Sequence, residues 1–113
     1  MLEKHLAICD LFDRYAAVLS PRHREVLDFY YNQDLSLSEI AAEIGISRQG
    51  VRDAIKKAEE ELFALEAGLH LCHTAGEIAA AASKLLSLSA DAEIRRAVLS
   101  LCAAAGVEPS ENE

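Results

Sequence analysis

Tryptophan is absent from this 113-residue chain, and proline occurs only at positions 21 and 109. Aromatic residues are few, so the core must be mostly aliphatic. β-Branched residues come singly, while Ala, Leu and Glu are abundant, which excludes a strand-rich fold and points to an all-α one. No apolar run is long enough to span a bilayer, so membrane insertion is not expected. The N-terminus, MLEKHLAICDLF, carries acids and no small-residue cleavage site, so a secretory leader is not expected and the expected compartment is the cytoplasm. The three cysteines, Cys9, Cys72 and Cys102, form no CxxC pair and read as reduced thiols. The five glycines are isolated. Without a glycine-rich phosphate loop the chain is not expected to hydrolyse nucleotides, and no recognisable nucleophile arrangement suggests another enzyme.

Basic excess is also missing. The formal net charge is −8, from 11 Lys and Arg against 19 Asp and Glu. Eight cations face thirteen acids up to residue 66, and three face six beyond it, so neither part is basic. Proteins that hold nucleic acid through its phosphates usually carry a basic excess.

What is present is a succession of about six helices. Leu2, Leu6, Cys9, Ala16 and Leu19 make an apolar stripe, widened by Ile8, Phe12 and Tyr15. Ser20-Pro21 ends that helix and opens the next, RHREVLDFYYN, with Ser20 as cap and Pro21 at the first helical position. Ser36 and Glu39 form a capping box for a short helix burying Leu37, Ile40, Ala41 and Ile44. Gly45 supplies the turn, and Ser47 caps a helix with no breaker until Gly68. Its Val51, Ile55, Ala58, Leu62, Leu65 and Leu69 recur as a heptad-like seam. Thr74 and Glu77 read as a second capping box, and Ser89 or Asp91 caps a last helix that Gly106 ends. The stretch after it, VEPSENE, is expected to fray. The expected division is residues 1–73, a helix-turn-helix domain with its long helix, and 74–113, an Ala-rich hairpin. That hairpin buries little alone and is expected to pack on the long helix or on a second subunit, and a further reading is a structural homodimer made through the long-helix seam and the hairpin together.

Two helices joined by a tight glycine turn define a helix-turn-helix. The segment LSPRHREVLDFYYNQDLSLSEIAAEIGISRQGVRDAIKKAEEEL resembles region 4 of bacterial sigma factors. It is closer to the YlxM family of small bacterial helix-turn-helix proteins, through LFDRYAAVL, FYYNQDLSLSEIA, SRQGVRDAIKKAE and the following GLHL. The resemblance covers roughly residues 8–71; the segment beyond about His73 departs from the usual family ending. It implies a cytosolic accessory protein of the signal recognition particle pathway, with the particle's GTPase, its receptor or its RNA as partner.

A helix-turn-helix that reads nucleic acid places the start of its second helix at the bases. Here that means Arg48, Gln49, Arg52, Lys56 and Lys57, with Arg22 and Arg24 as backbone contacts. Arg48, Arg52 and Lys56 drift about 40° per step around one side of the helix. Against this, Asp53 sits among them, and Lys56–Glu60 and Lys57–Glu61 have the spacing of solubilising ion pairs. Glu59 lies roughly 16 Å along the axis from Arg48. That is about two Debye lengths, so the glutamates of AEEEL do not block the helix start. The weak point is SEIAAEI, which should cross the phosphate backbone yet carries Glu39 and Glu43 and no cation. DNA regulation through the same face therefore ranks behind a protein- or RNA-directed role. The glutamates themselves read as a solvated face. His70, Cys72 and His73, with Cys9 or Cys102, lack paired metal-ligand motifs, so neither metal nor cofactor is expected.

Overall fold

The computed structural model describes residues 2–110, with side chains from Ala7 onward. These residues are all-α, without a strand. The chain divides between Leu69 and His70 into two units.

In the first unit, α1 (Leu2–Tyr15) tightens into a 3₁₀ turn at Ala16–Val18. The expected stripe residues Leu2 and Leu6 have side chains outside the described residues. Helix α2 (Pro21–Leu27) starts as its sequence dictates: Pro21 occupies the first turn and Ser20 Oγ accepts from the His23 N–H. It then widens into a π-helical turn, Asp28–Asn32. Asp34, at φ 57°, turns the chain out of it.

Helix α3 (Leu37–Ile44) carries the full capping box. Ser36 Oγ accepts from Glu39 N at 3.1 Å, and Ser36 N donates to Glu39 Oε1 at 2.9 Å. Gly45 takes φ 84°, which an L side chain adopts only under strain, and both it and Ile46 donate to the Ala41 carbonyl. Ser47 then caps α4 (Arg48–Leu69) by accepting from Gly50 N at 2.9 Å.

Helix α4 is the axis of this unit, packing against α1, α2 and α3. Val51, Ile55, Ala58 and Leu62 of its seam are buried, and so are Ile8, Leu11, Phe12, Tyr15, Leu19, Val26, Leu27 and Ile40 of the same unit. Leu65 is half-buried and Leu69 exposed, so the seam runs out before the helix does. In α3 only Ile40 is fully buried; Leu37, Ala41 and Ile44 sit at the margin.

In the second unit, α5 (Leu71–Leu88) begins four residues earlier than the Thr74 capping box implies. His70 takes a left-handed conformation, φ 57°, and breaks the chain for a single residue. Thr74 then makes an ordinary helical bond to the His70 carbonyl, and Glu77 lies 3.3 Å from His73 instead of reaching back to a cap. Asp91 caps α6 (Ala92–Ala105), accepting from Glu93 N and Ile94 N. The pair is closed by Ala82, Val98 and Cys102, with Leu86 and Val107 against them.

The start of the tail does not fray. Gly106, at φ 71°, and Val107 donate back to Ala103 and Cys102, so Val107 folds onto the hairpin core. Ser110 is tied at both backbone groups: its N–H donates to Ala79 and its carbonyl accepts from Ser83 Oγ at 2.8 Å. The remainder of the expected frayed end, residues 111–113, lies outside the described residues.

Candidate functional site

The cations singled out on α4 are all exposed: Arg48, Arg52, Lys56 and Lys57, with Gln49 beside them. Helix geometry sets them in two groups. Arg48, Arg52 and Lys56 follow one flank of the buried seam, whereas Lys57 is turned about 100° from Lys56, toward the other flank. Gln49 is not free to read a base edge, because its Nε2 donates to Asp53 Oδ1 at 2.9 Å.

Arg22 and Arg24, the expected backbone contacts, have intramolecular partners. Arg22 lies 3.6 Å from Glu25, with both side chains about half exposed. Arg24 spans the α1–α2 corner, donating to the carbonyls of Ala16 (3.1 Å) and Leu19 (3.3 Å). The Ala16 carbonyl also accepts from Leu19 N at 3.2 Å, so Arg24 ties both ends of the 3₁₀ turn to the neighbouring helix.

The glutamates of α4 do more than solvate a face. Tyr31 donates its hydroxyl to Glu59, His23 Nδ1 lies 2.8 Å from Glu61 Oε1, and Tyr15 donates to Glu66 Oε1 at 2.6 Å. One helix thereby holds the π-helical turn, α2 and α1 through three carboxylates that flank its apolar seam. Among the described residues, no ion pair joins Lys56 to Glu60 or Lys57 to Glu61. The second of those pairings gives way to the longer-range His23–Glu61 contact. Burial, then the Glu59 hydrogen bond and charge, push the Tyr31 hydroxyl well above its ordinary pKa. Its proton is therefore held firmly in the contact.

Arg52 and Lys56 also line a groove of about 250 Å³, with Tyr30, Tyr31, Leu37, Ile55 and Glu59 as its other walls. Tyr30 and Tyr31 meet at 85° with ring centroids 5.0 Å apart. In the sequence these tyrosines stand out only as much of the chain's aromatic mass. The π-helical turn, whose extra residue re-aims the side chains after Leu27, is what brings them to α4. The signal available in sequence was the consecutive Phe29-Tyr30-Tyr31, three aromatics that one buried helix face cannot all occupy.

The rest of the unit's surface near the turn is acidic. Glu39 and Glu43 of α3 are exposed. Glu39 accepts from the backbone N–H of Ser36, which holds its carboxyl below the ordinary range and keeps it charged. Among the described residues, no three His, Cys, Asp or Glu side chains come together as a metal-holding group, His70, Cys72 and His73 included. No described helix is long and apolar enough to cross a membrane.

Known proteins share this arrangement of sequence. Proteins of the UPF0122 family from Mycoplasma capricolum, Lactiplantibacillus plantarum and Streptococcus equi subsp. zooepidemicus are each 44% identical to this chain. The matched segments are 70 to 72 residues long and cover 62–64% of this chain. They span 62–63% of the relatives' own length, which is less than two thirds. The family model described as "Putative helix-turn-helix protein, YlxM / p13 like" matches residues 2–98, which extends past the helix-turn-helix into α6. On that match the chain belongs to the UPF0122 family of YlxM- and p13-like helix-turn-helix proteins.

Proposed function

We propose that this chain is a non-enzymatic, cytoplasmic accessory protein of the signal recognition particle pathway. Its contact face is the flank of α4 that carries Arg48, Arg52 and Lys56, flanked by Gln49 and Lys57. The partner is the particle's GTPase, its receptor or its RNA. The observation that carries this reading is the imbalance across the helix-turn-helix. The second helix offers exposed cations, while α3, which would cross a duplex backbone, offers exposed Glu39 and Glu43. A surface of that kind suits an acidic patch or a few phosphates better than a continuous phosphate track. The occupation of Arg22 and Arg24 within the fold supports the same preference. The pathway itself rests on the resemblance to the YlxM family.

A pull-down with the particle's GTPase and receptor, with GTP turnover followed in parallel, tests the reading. Association with an altered turnover rate is the expected result. Absence of both removes it.

One observation favours a second reading. Gly45 and the Ser47 cap place Arg48 at the first turn of α4, the position from which a helix-turn-helix reads DNA. Duplex binding with a steep salt dependence that Arg48→Ala or Arg52→Ala weakens would establish it.

The same proposal includes a homodimer built on the second unit. Leu85, Leu88, Ile94 and Leu101 are exposed. Relative to Ala82 on α5 and Val98 on α6, they lie on the same rotational side of the buried strip. Two antiparallel helices place such residues on one face of the hairpin, and a contiguous apolar face of this kind marks an interaction surface. The seam of α4 is already filled by α1, α2 and α3. A second hairpin, completing a four-helix bundle, is the cover this supports.

A further inference from the structure

The groove beside α4 has features that a merely cationic contact face does not need. Tyr30 is 37% exposed. Its ring stands perpendicular to Tyr31, and Tyr31 is held in turn by its hydroxyl on Glu59. The tyrosine pair is thereby anchored to α4. Leu37 and Ile55 supply an apolar lining. Arg52 and Lys56 line the same groove one helical turn apart, both exposed. Among the described residues, neither cation forms an ion pair, whereas the single acid of the groove, Glu59, is engaged by Tyr31.

We propose that this groove binds a single unstacked nucleotide, its base against Tyr30 and its phosphate on Arg52 and Lys56. Base stacking on an exposed aromatic ring, with cations tracking the phosphate, is the general solution for unpaired nucleotides. The volume, about 250 Å³, lies just under the usual range of about 300–1,000 Å³ for small-ligand sites. A groove of that size suits one base with its phosphate better than several stacked bases. A ligand with one or two charges also tolerates a chain of net charge −8, which a long phosphate track would not. The inference rests on the reading of α4's cationic flank as the contact face, and it names what that flank recognises. The nucleotide has two sources, a free mononucleotide or an unpaired residue of a single-stranded RNA.

The test titrates the full chain with adenosine and uridine monophosphates by calorimetry. Fluorescence anisotropy then follows a labelled ten-nucleotide single-stranded RNA and a duplex of the same sequence. Saturable binding of the mononucleotides or of the single strand, weaker binding of the duplex, and a loss of about five- to hundredfold on Tyr30→Ala are expected. Tyr30→Phe retains binding, which separates stacking from a damaged fold. Arg52→Ala lowers the salt slope by about one. Mononucleotide binding undiminished relative to the strand assigns the site to free nucleotides; a much tighter strand assigns it to RNA. Failure of both to bind, preference for the duplex, an unaffected Tyr30→Ala, or tighter binding of an acidic aromatic peptide overturns the proposal. If the particle's GTPase is still captured while no nucleotide binds, the groove assignment falls and the accessory role stands. If nucleotides bind without any capture, the reverse holds.

Discussion

The two units solve the burial problem with different amounts of material. Among the described residues, the first buries twelve apolar side chains, from Ile8 on α1 to Leu62 on α4. The second buries three, Ala82, Val98 and Cys102, and leaves Leu71, Leu85, Leu88, Ile94, Leu99 and Leu101 exposed. Helix α4 packs against α1, α2 and α3, so its apolar seam is covered as far as Leu62. Two helices share only one strip, and whatever lies outside it faces water. The first unit therefore covers most of its core, and the second leaves much of its apolar surface uncovered.

The largest expected difference lies in core truncation. Leu62→Ala, at a fully buried site, should lower stability by about 2–5 kcal/mol in denaturant unfolding. Leu99→Ala, at a half-exposed site on the other side of α6 from the proposed dimer face, should change it by less than about 0.5 kcal/mol. Equal costs would erase the contrast between the units. The interface idea is sharpened by the pair Leu88→Glu and Leu101→Glu. Sedimentation at micromolar concentration should show a dimer for the parent and a monomer for this variant; a monomeric parent contradicts the dimer.

A feature common to both units should behave alike in each. Gly45 and Gly106 both close a helix in the left-handed region. Gly45→Ala and Gly106→Ala should each cost about 1–2 kcal/mol, read from thermal or denaturant midpoints. A markedly smaller cost for Gly106 would mean that the tail, held by Val107 and Ser110, fixes the end of α6 without it.

The smallest effects concern the polar contacts of the first unit. Tyr31→Phe should cost about 1 kcal/mol at neutral pH. Because the folded-state pKa of Tyr31 is raised, its contribution is complete below the unfolded value of about 10 and is lost as pH rises above it. The gap between parent and Tyr31→Phe should therefore hold up to about pH 10 and shrink as pH rises further. Glu39 has the opposite sign: its pKa is lowered, so its contribution is present above the ordinary carboxylate value and is lost as pH falls. Unfolding midpoints of the parent and Glu39→Gln should converge toward pH 3.

Local chemistry was legible in the sequence where a short motif settles a short structure. Ser36 with Glu39, Gly45, Ser47, and Ser20-Pro21 all sit in the roles their residue types dictate. Thr74 and Glu77 match the same pattern and form no cap, because His70 breaks the chain upstream and α5 is already running when it reaches Thr74. A non-glycine left-handed residue carries little warning in its identity. The exposure of Arg48, Arg52, Lys56 and Lys57 follows from helical periodicity. The partners of Glu59, Glu61 and Glu66 do not, since Tyr31, His23 and Tyr15 are 28 to 51 residues away. The groove at Tyr30 depends on the π-helical turn; the consecutive Phe29-Tyr30-Tyr31 show that one face cannot bury all three, but not where the turn re-aims them.

The central claim is that the Arg52 and Lys56 flank of α4 is the contact face. GTP turnover by the purified particle GTPase and its receptor, measured with the parent chain and with the Arg52→Glu, Lys56→Glu double variant, tests it most directly. The account predicts a rate changed by the parent and restored to its value without added protein by the charge-reversed chain, with unfolding midpoints of the two chains alike. A parent that leaves the rate untouched, or a reversed chain that alters it as fully as the parent, would contradict the claim.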